Sequence, residues 1–268
     1  MPSHARSLTL IALLAFAAPA AAQIPQPVAA PAPASPEFLS RYDFHMSLYH
    51  LYGADDPERR YSWDTHFGGS FDLLDFVFGR AMLDIDYEAV MGHEYRPFDP
   101  NQANYTLEGS LSARVGKAEV AAYFHHVSRH LSDRPNPLGI AWNVPGGRLL
   151  KRIETTQGTF DVNVELGHVV QHAFVDYTWI GGGDIVFRRP IRPPVGIFAH
   201  ASSHFFAVDG TIPNRGTQVG VFTEGGVRLT TRGGVLEAFA GFERRVDAFP
   251  LQRVPENWAL AGFRLLSR

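Results

Sequence analysis

A strict alternation of apolar and polar side chains is the feature that most constrains what this chain can fold into. From Val77 to Met91, every second residue is apolar or glycine. The residues of the opposite parity include four charges: Arg80, Asp84, Asp86 and Glu88. Because successive side chains of a β-strand point to opposite faces, this segment has one apolar face and one charged face. The same division recurs in about a dozen segments, many of them nine residues or longer.

Strands of this length favour a membrane barrel over a soluble sandwich, whose strands are shorter. We predict an all-β fold, a transmembrane antiparallel up-and-down β-barrel of about 12 strands with its apolar face toward lipid. A soluble sandwich or lipocalin-like barrel is the alternative. Short and long connections alternate along the chain, and the longest predicted loop runs from His130 to Gly146. The segment Arg148–Glu154 fits the alternation least well.

Aromatic side chains near the outer ends of the apolar rows are expected to lie at the membrane–water boundary, where one end of the ring is apolar and the other is wet. The predicted boundary residues are Tyr61, Trp63, Tyr105 and Trp258.

Three regions are predicted along the chain. Residues 1–22 have the form of a signal peptide, since the apolar run Leu8–Ala18 is too short for a membrane anchor and is followed by small residues. Residues 23–37 are rich in Pro and Ala and are expected to form an extended periplasmic segment. Residues 38–268 are assigned to the barrel. The chain is therefore expected in the bacterial cell outer membrane.

The expected partners follow from this location. They are outer-membrane lipid and the barrel-assembly machinery, for which Phe263 is the expected terminal aromatic signal. The chain has no cysteine, which excludes disulfides and thiolate metal sites. Its net charge of −3 gives no reason to expect nucleic acid as a partner.

Several histidines share the polar parity and should point into the barrel lumen. Imidazole is a common metal ligand, so a lumenal zinc, copper or iron site is one hypothesis, with Asp64 or Glu224 as an oxygen ligand. The candidate ligands are His45, His66, His125 and His200. The alternative is that histidine fills the lumen as a bulky polar residue paired with carboxylates. Arginines and carboxylates of the same parity predict an ion-pair network that plugs the lumen. The sequence identifies no cofactor.

His126 and Ser128 continue an apolar, lipid-facing row at its outer end. Side chains two residues apart on one strand face are close enough for a hydroxyl–imidazole contact. A serine nucleophile and a histidine base at this place could attack acyl esters of membrane lipids without removing them from the bilayer. The alternative is an ordinary polar rim.

The His126-x-Ser128 pair resembles the His-x-Ser motif of outer-membrane phospholipase A and of the lipid A deacylase barrels. The phospholipase resemblance implies an orienting asparagine, for which Asn143 in the Trp142-Asn143 pair is the nearest match. The string "HHVSRHLSDRP" also resembles the His-x-Ser-Ser-His-Leu-Gly-Asp segment of an uncharacterised family of bacterial outer-membrane proteins, for which no activity is assigned.

Three functions remain open at this point. The leading prediction is a structural or binding barrel with a plugged polar lumen. The first alternative is a membrane-embedded acyl-ester hydrolase that uses Ser128, His126 and Asn143. The second alternative is a small-solute channel.

Overall fold

The computed structural model describes residues 28–131 and 138–267 and consists of one antiparallel β-sheet that closes on itself. The predicted signal peptide lies outside the described residues, as does the first part of the Pro/Ala-rich segment. The strands are β1 (Glu37–Tyr52), β2 (Trp63–Asp75), β3 (Arg80–Gly92), β4 (Asp99–Val115), β5 (Ala118–Leu131), β6 (Ile140–Thr155), β7 (Gly158–His168), β8 (Gln171–Ala173), β9 (Tyr177–Arg192), β10 (Val195–Val208), β11 (Gln218–Thr230), β12 (Val235–Phe249) and β13 (Val254–Leu266).

Twelve of these strands form the wall of the barrel, and β13 pairs with β1 to close it. The short β8 continues the line of β7 and pairs with the start of β6. The predicted 12-strand antiparallel barrel is therefore confirmed. No helix in the described part of the chain is long and apolar enough to cross a membrane.

The alternation in the sequence is the alternation between the two sides of the wall. Along β10, Phe198, His200 and His204 are buried in the lumen, whereas Ile197 and Ala199 are exposed on the outside. Large apolar side chains are exposed on the outer face of most strands, as in Phe67 and Leu111. An apolar outer belt of this extent is the surface expected to face lipid.

The two ends of the barrel differ in their connections. One end, called the turn end here, has the short connections 76–79, 116–117, 156–157, 193–194 and 231–234. The two-residue turn 116–117 places Gly116 at a φ of +61°, a conformation that glycine adopts readily in the first position of a hairpin turn. The other end, called the loop end, has the longer connections. In barrels of this kind short turns face the periplasm and long loops face outward.

The lumen near the turn end is filled by paired charges. Arg80 contacts Asp72 at 2.8 Å and Glu119 at 2.7 Å, and all three side chains are buried. Arg264 makes similar contacts with two glutamates of β11 and β12. The carbonyl oxygen of Ala30 accepts a hydrogen bond from Arg114, so the described part of the Pro/Ala-rich segment lies against this end of the lumen. These contacts agree with the predicted ion-pair plug.

The lumen near the loop end is more apolar than the sequence predicted. Tyr49, Phe222 and Leu260 point inward and pack together with Tyr61 and Trp258. The expectation that Tyr61 and Trp258 face the membrane boundary is wrong, since they are 8% and 1% exposed and lie against each other inside the barrel. Apolar rings pack inward here because this part of the lumen forms a small hydrophobic core.

The start of β6 also departs from the sequence prediction. The sequence pattern predicts that the stretch from Ile140 to Gly146 belongs to a long loop, but in the structure this stretch is paired with β5. Ile140, Trp142 and Val144 are buried in the lumen while Asn143 faces outward. The alternation is therefore present but inverted, with apolar residues inside, and this inversion hid the strand. Arg148–Glu154, the weakest predicted strand, forms the second half of the same element.

Candidate functional site

The candidate catalytic row lies on the outer face of β5, toward the loop end. Because the pairing on both sides of β5 is continuous, the side chains of His126, Ser128 and His130 have the same outward direction. His126 lies opposite Leu107 and Ser128 lies opposite Tyr105 on β4. Both of these neighbours are exposed on the outside of the barrel. The row therefore borders the surface that faces lipid.

His126, the first histidine of this row, is held by an asparagine on the next strand. His126 and Asn143 are direct cross-strand partners between β5 and β6. The Nδ1–H of His126 donates to Asn143 Oδ1 at 2.7 Å, and Asn143 Nδ2 donates to Gln171 Oε1 at 2.9 Å. With Nδ1 carrying the proton, the Nε2 atom of His126 is left as a basic nitrogen. The arrangement fixes both the ring and its tautomer.

Ser128 lies between two histidines on the same face of the strand. Its Oγ is hydrogen-bonded to His130 Nε2 at 2.8 Å. Residues two apart in a strand are about 6.7 Å apart along the chain, so His126 and His130 flank the hydroxyl from either side. Rotation about the single χ1 bond of Ser128 turns the hydroxyl from one imidazole toward the other. The His130 ring packs edge-on against Tyr105.

Chemically, this row combines a hydroxyl, an oriented imidazole and an amide that orients the imidazole. A nucleophile, a base and a group that orients the base are three of the parts of an acyl-transfer site, and such sites are recognised by geometry rather than by order in the chain. All three predicted residues, Ser128, His126 and Asn143, are brought together on one outer surface of adjacent strands. The direct Ser128–His126 hydrogen bond is replaced by the Ser128–His130 bond.

The four predicted metal ligands are distributed over several carboxylates of the lumen. His45 Nε2 and His66 Nδ1 bind the two oxygens of Asp86, at 2.7 Å and 2.8 Å. His125 Nδ1 contacts Glu108 at 3.1 Å, and His200 contacts Asp184 and Glu224. The structure thus brings His45 and His66 to one carboxylate and holds His125 and His200 at other carboxylates.

A cavity of about 210 Å³ lies in the lumen beside these residues. Val127, Trp142 and Phe206 contribute an apolar wall, and His66 and Glu88 belong to the charged side. The remaining lumen near the turn end is occupied by the arginine pairs described above.

Three residues that matter for these sites were missed from the sequence. His130 shares the parity of Ser128, which was a usable signal. Gln171 lies in the short β8 and carries no pattern that would connect it with Asn143. Arg245 lies on the lumenal side of β12 and contacts three carboxylates, which requires a tertiary structure to recognise.

Comparison with known proteins gives a fold and no family. No family model matches the chain, and no curated protein matches its sequence. Among solved structures, the calcium-bound dimer of outer membrane phospholipase from Salmonella typhi is similar, with a TM-score of 0.51, 13% identity, and coverage of 84% of this chain and 90% of that chain. Outer membrane phospholipase A from Escherichia coli is similar at the same TM-score and identity, with coverage of 83% and 92%.

The similarity to phospholipase barrels expected from the sequence is thus confirmed as a similarity of fold. The resemblance to the uncharacterised family and to the lipid A deacylases stays a prediction. The closed sheet and its apolar outer belt agree with the predicted outer-membrane location, and contact with membrane lipid follows from that belt. The chain has the fold of an outer-membrane β-barrel.

Proposed function

We propose that this protein hydrolyses acyl esters of lipids at the outer surface of its barrel. Ser128 is the nucleophile, His126 is the general base, and Asn143 orients His126. The observation that carries the proposal is the 2.7 Å hydrogen bond from His126 Nδ1 to Asn143 Oδ1, next to an outward serine on the same strand face. Two of the similar solved structures are phospholipases by name, which supports the same reaction class.

The reaction begins when Ser128 Oγ turns from His130 toward His126. The Oγ atom attacks the ester carbonyl carbon, and its proton moves to His126 Nε2. The tetrahedral intermediate collapses with release of the alcohol, which takes that proton. Water then attacks the acyl-serine with His126 again as base, and the fatty acid leaves as His126 returns that proton to Ser128 Oγ. Asn143 holds the ring through both steps, since its amide oxygen accepts the Nδ1 proton.

The test is release of free fatty acid from outer-membrane lipids by the refolded protein, with and without added calcium. Ser128→Ala is expected to abolish release, and His126→Ala is expected to lower it by about 10²–10⁴-fold, the usual contribution of a general base. Asn143→Ala should also lower release, because the imidazole loses its orientation. Wild-type protein that releases no more acid than Ser128→Ala contradicts the proposal.

His130→Ala serves as the matched control on the same strand face. If His126 is the base, this variant keeps most of the wild-type rate, because its contact with Ser128 is broken before attack. Loss of activity in His130→Ala with retention in His126→Ala would reverse the assignment of the base and contradict the role given to Asn143.

A structural or binding barrel is the second candidate function, and the plugged lumen favours it. Arg80 and Arg264 each bridge two buried carboxylates of nearby strands inside the lumen, which gives the barrel a rigid interior without any chemistry. In that case wild type and all three variants are equally silent in the lipid assay. A small-solute channel would be recognised by single-channel conductance. Because the lumen is plugged, we expect no conductance.

A further inference from the structure

Three metal-ligand side chains meet at the loop end of the lumen, away from the outer row of β5. Asp64 and His66 are two residues apart on β2, and Glu88 lies directly opposite His66 on β3. One donor atom from each lies within 4.8 Å of the other two. The His66 Nε2 atom is 3.7 Å from Asp64 Oδ1 and 3.8 Å from Glu88 Oε1. A tetrahedral zinc ion with bonds of about 2.0–2.1 Å separates its donor atoms by about 3.4 Å, so small movements are enough.

The imidazole of His66 is oriented as a metal ligand would be. Its Nδ1–H donates to Asp86 Oδ2 at 2.8 Å, and the other oxygen of Asp86 is held by His45 at 2.7 Å. The Nε2 atom accepts a long hydrogen bond of 3.3 Å from the Tyr49 hydroxyl and also faces Asp64 and Glu88, so a bound ion would take the place of the tyrosine contact. Metal-binding histidines typically donate their second ring N–H to a carboxylate in this way, which fixes the tautomer and makes the ligand more basic.

An independent observation that points to a cation is the environment of the Asp64 carboxylate. This carboxylate is fully buried, and its Oδ1 atom makes no hydrogen bond with any residue the structure describes. Its Oδ2 atom is bound by Arg245 at 2.7 Å. A buried carboxylate oxygen without a donor is costly, and such atoms are normally paired or coordinate a metal. The unpaired oxygen is the one that faces His66.

The charge balance points the same way. Arg245 is shared by Asp64, Glu88 and Glu243, with contacts of 2.7–2.8 Å. One guanidinium therefore serves two buried carboxylates, Asp64 and Glu243, and the partly buried carboxylate of Glu88. A divalent cation between Asp64 and Glu88 neutralises the excess. His66 and Glu88 also line the lumenal cavity, which gives an ion a route to the site.

We infer that Asp64, His66 and Glu88 form a binding site for one divalent transition-metal ion, with zinc as the representative. The donor set of one imidazole and two carboxylates suits such an ion. Asp86 and His45 act behind it as positioning residues. The site is separate from Ser128 and faces the opposite side of the barrel wall, so it does not depend on the proposed hydrolysis.

The test is a calorimetric titration of the refolded full-length protein with Zn²⁺, after treatment with a chelator and dialysis. The expected result is one ion per chain, with affinity lowered at least about tenfold by Asp64→Asn and by His66→Gln. His200→Gln is the matched control, because His200 is also buried in the lumen between two carboxylates. It should keep wild-type affinity. Cobalt absorption bands in the wild type give a second readout of the bound ion.

Correct folding of each variant is checked by heat-modifiable gel mobility. If His66→Gln does not fold, Glu88→Gln replaces it, since the new amide keeps an oxygen for Arg245. The inference is overturned if wild type takes up no stoichiometric zinc. It is also overturned if the Asp64 and Glu88 variants bind as wild type does, or if His200→Gln loses binding while they retain it.

Discussion

The two ends of the lumen are built from the same strands but are filled differently. At the turn end, Arg80 bridges two buried carboxylates, and the segment before β1 lies against the lumen through Arg114. At the loop end, aromatic and aliphatic side chains such as Trp142 and Phe206 point inward around a cavity of about 210 Å³, and Arg245 serves three carboxylates. The first end is a filled plug. The second end has space, an apolar wall and one guanidinium that is shared by three carboxylates.

The largest expected effect comes from breaking the plug. Arg80→Ala leaves Asp72 and Glu119 as buried carboxylates without their cation, and loss of one partner of such a pair costs about 3–5 kcal/mol. The measurement is urea unfolding of the barrel in lipid vesicles, followed by heat-modifiable mobility. Arg232→Ala, at an exposed arginine in a turn at the same end, should change the unfolding free energy by less than about 0.5 kcal/mol. Equal effects of the two variants would contradict the plug.

A smaller effect is expected from adding volume where the lumen is full. Ala121 is 2% exposed and lies between Ser112 and Arg148 on the neighbouring strands. Ala121→Val forces extra methyl groups into this packed region and should lower the unfolding free energy by about 1–3 kcal/mol. The same urea titration measures it. A neutral result would mean that the lumen at this level is not filled.

The smallest effect is expected from adding volume beside the cavity. Val127 lines the cavity on the same strand as Ala121. Val127→Ile adds one methyl group to open space, so we expect a gain of about 0.5–1 kcal/mol, the usual size for filling a cavity. Destabilisation by this variant as large as that of Ala121→Val would show that the two levels of the lumen are packed alike and would remove the contrast between the ends.

Much of the fold was predictable because lipid outside and charge inside impose a simple period of two. This period identified the barrel, the strand number and the inward direction of His66 and His200. It failed where the lumen itself is apolar. Trp142 and Val144 point inward, and Asn143 points outward, so a pattern that expects polar residues inside predicts a loop at the start of β6.

The candidate sites were predictable in part, and the reason is again local. His126 and Ser128 lie in one segment, so their shared face follows from their spacing. The distance from His126 to Asn143 depends on the register between β5 and β6, which no single segment encodes. The neighbours of His66 also come from β3 and β12. The sequence around His66 therefore does not predict that Glu88 and Arg245 lie beside it.

Because the Ser128 row faces outward, it meets lipid molecules at a frequency set by their concentration within the membrane. A group on the outer wall of a barrel meets molecules that diffuse in the plane of the bilayer, so for the proposed hydrolysis the relevant quantity is the mole fraction of the substrate among the lipids. Dilution of the whole sample leaves that fraction unchanged. Dilution of the substrate with an inert lipid or detergent lowers it. Rates at this surface should therefore scale with surface composition and be insensitive to bulk lipid concentration once the barrel is inserted.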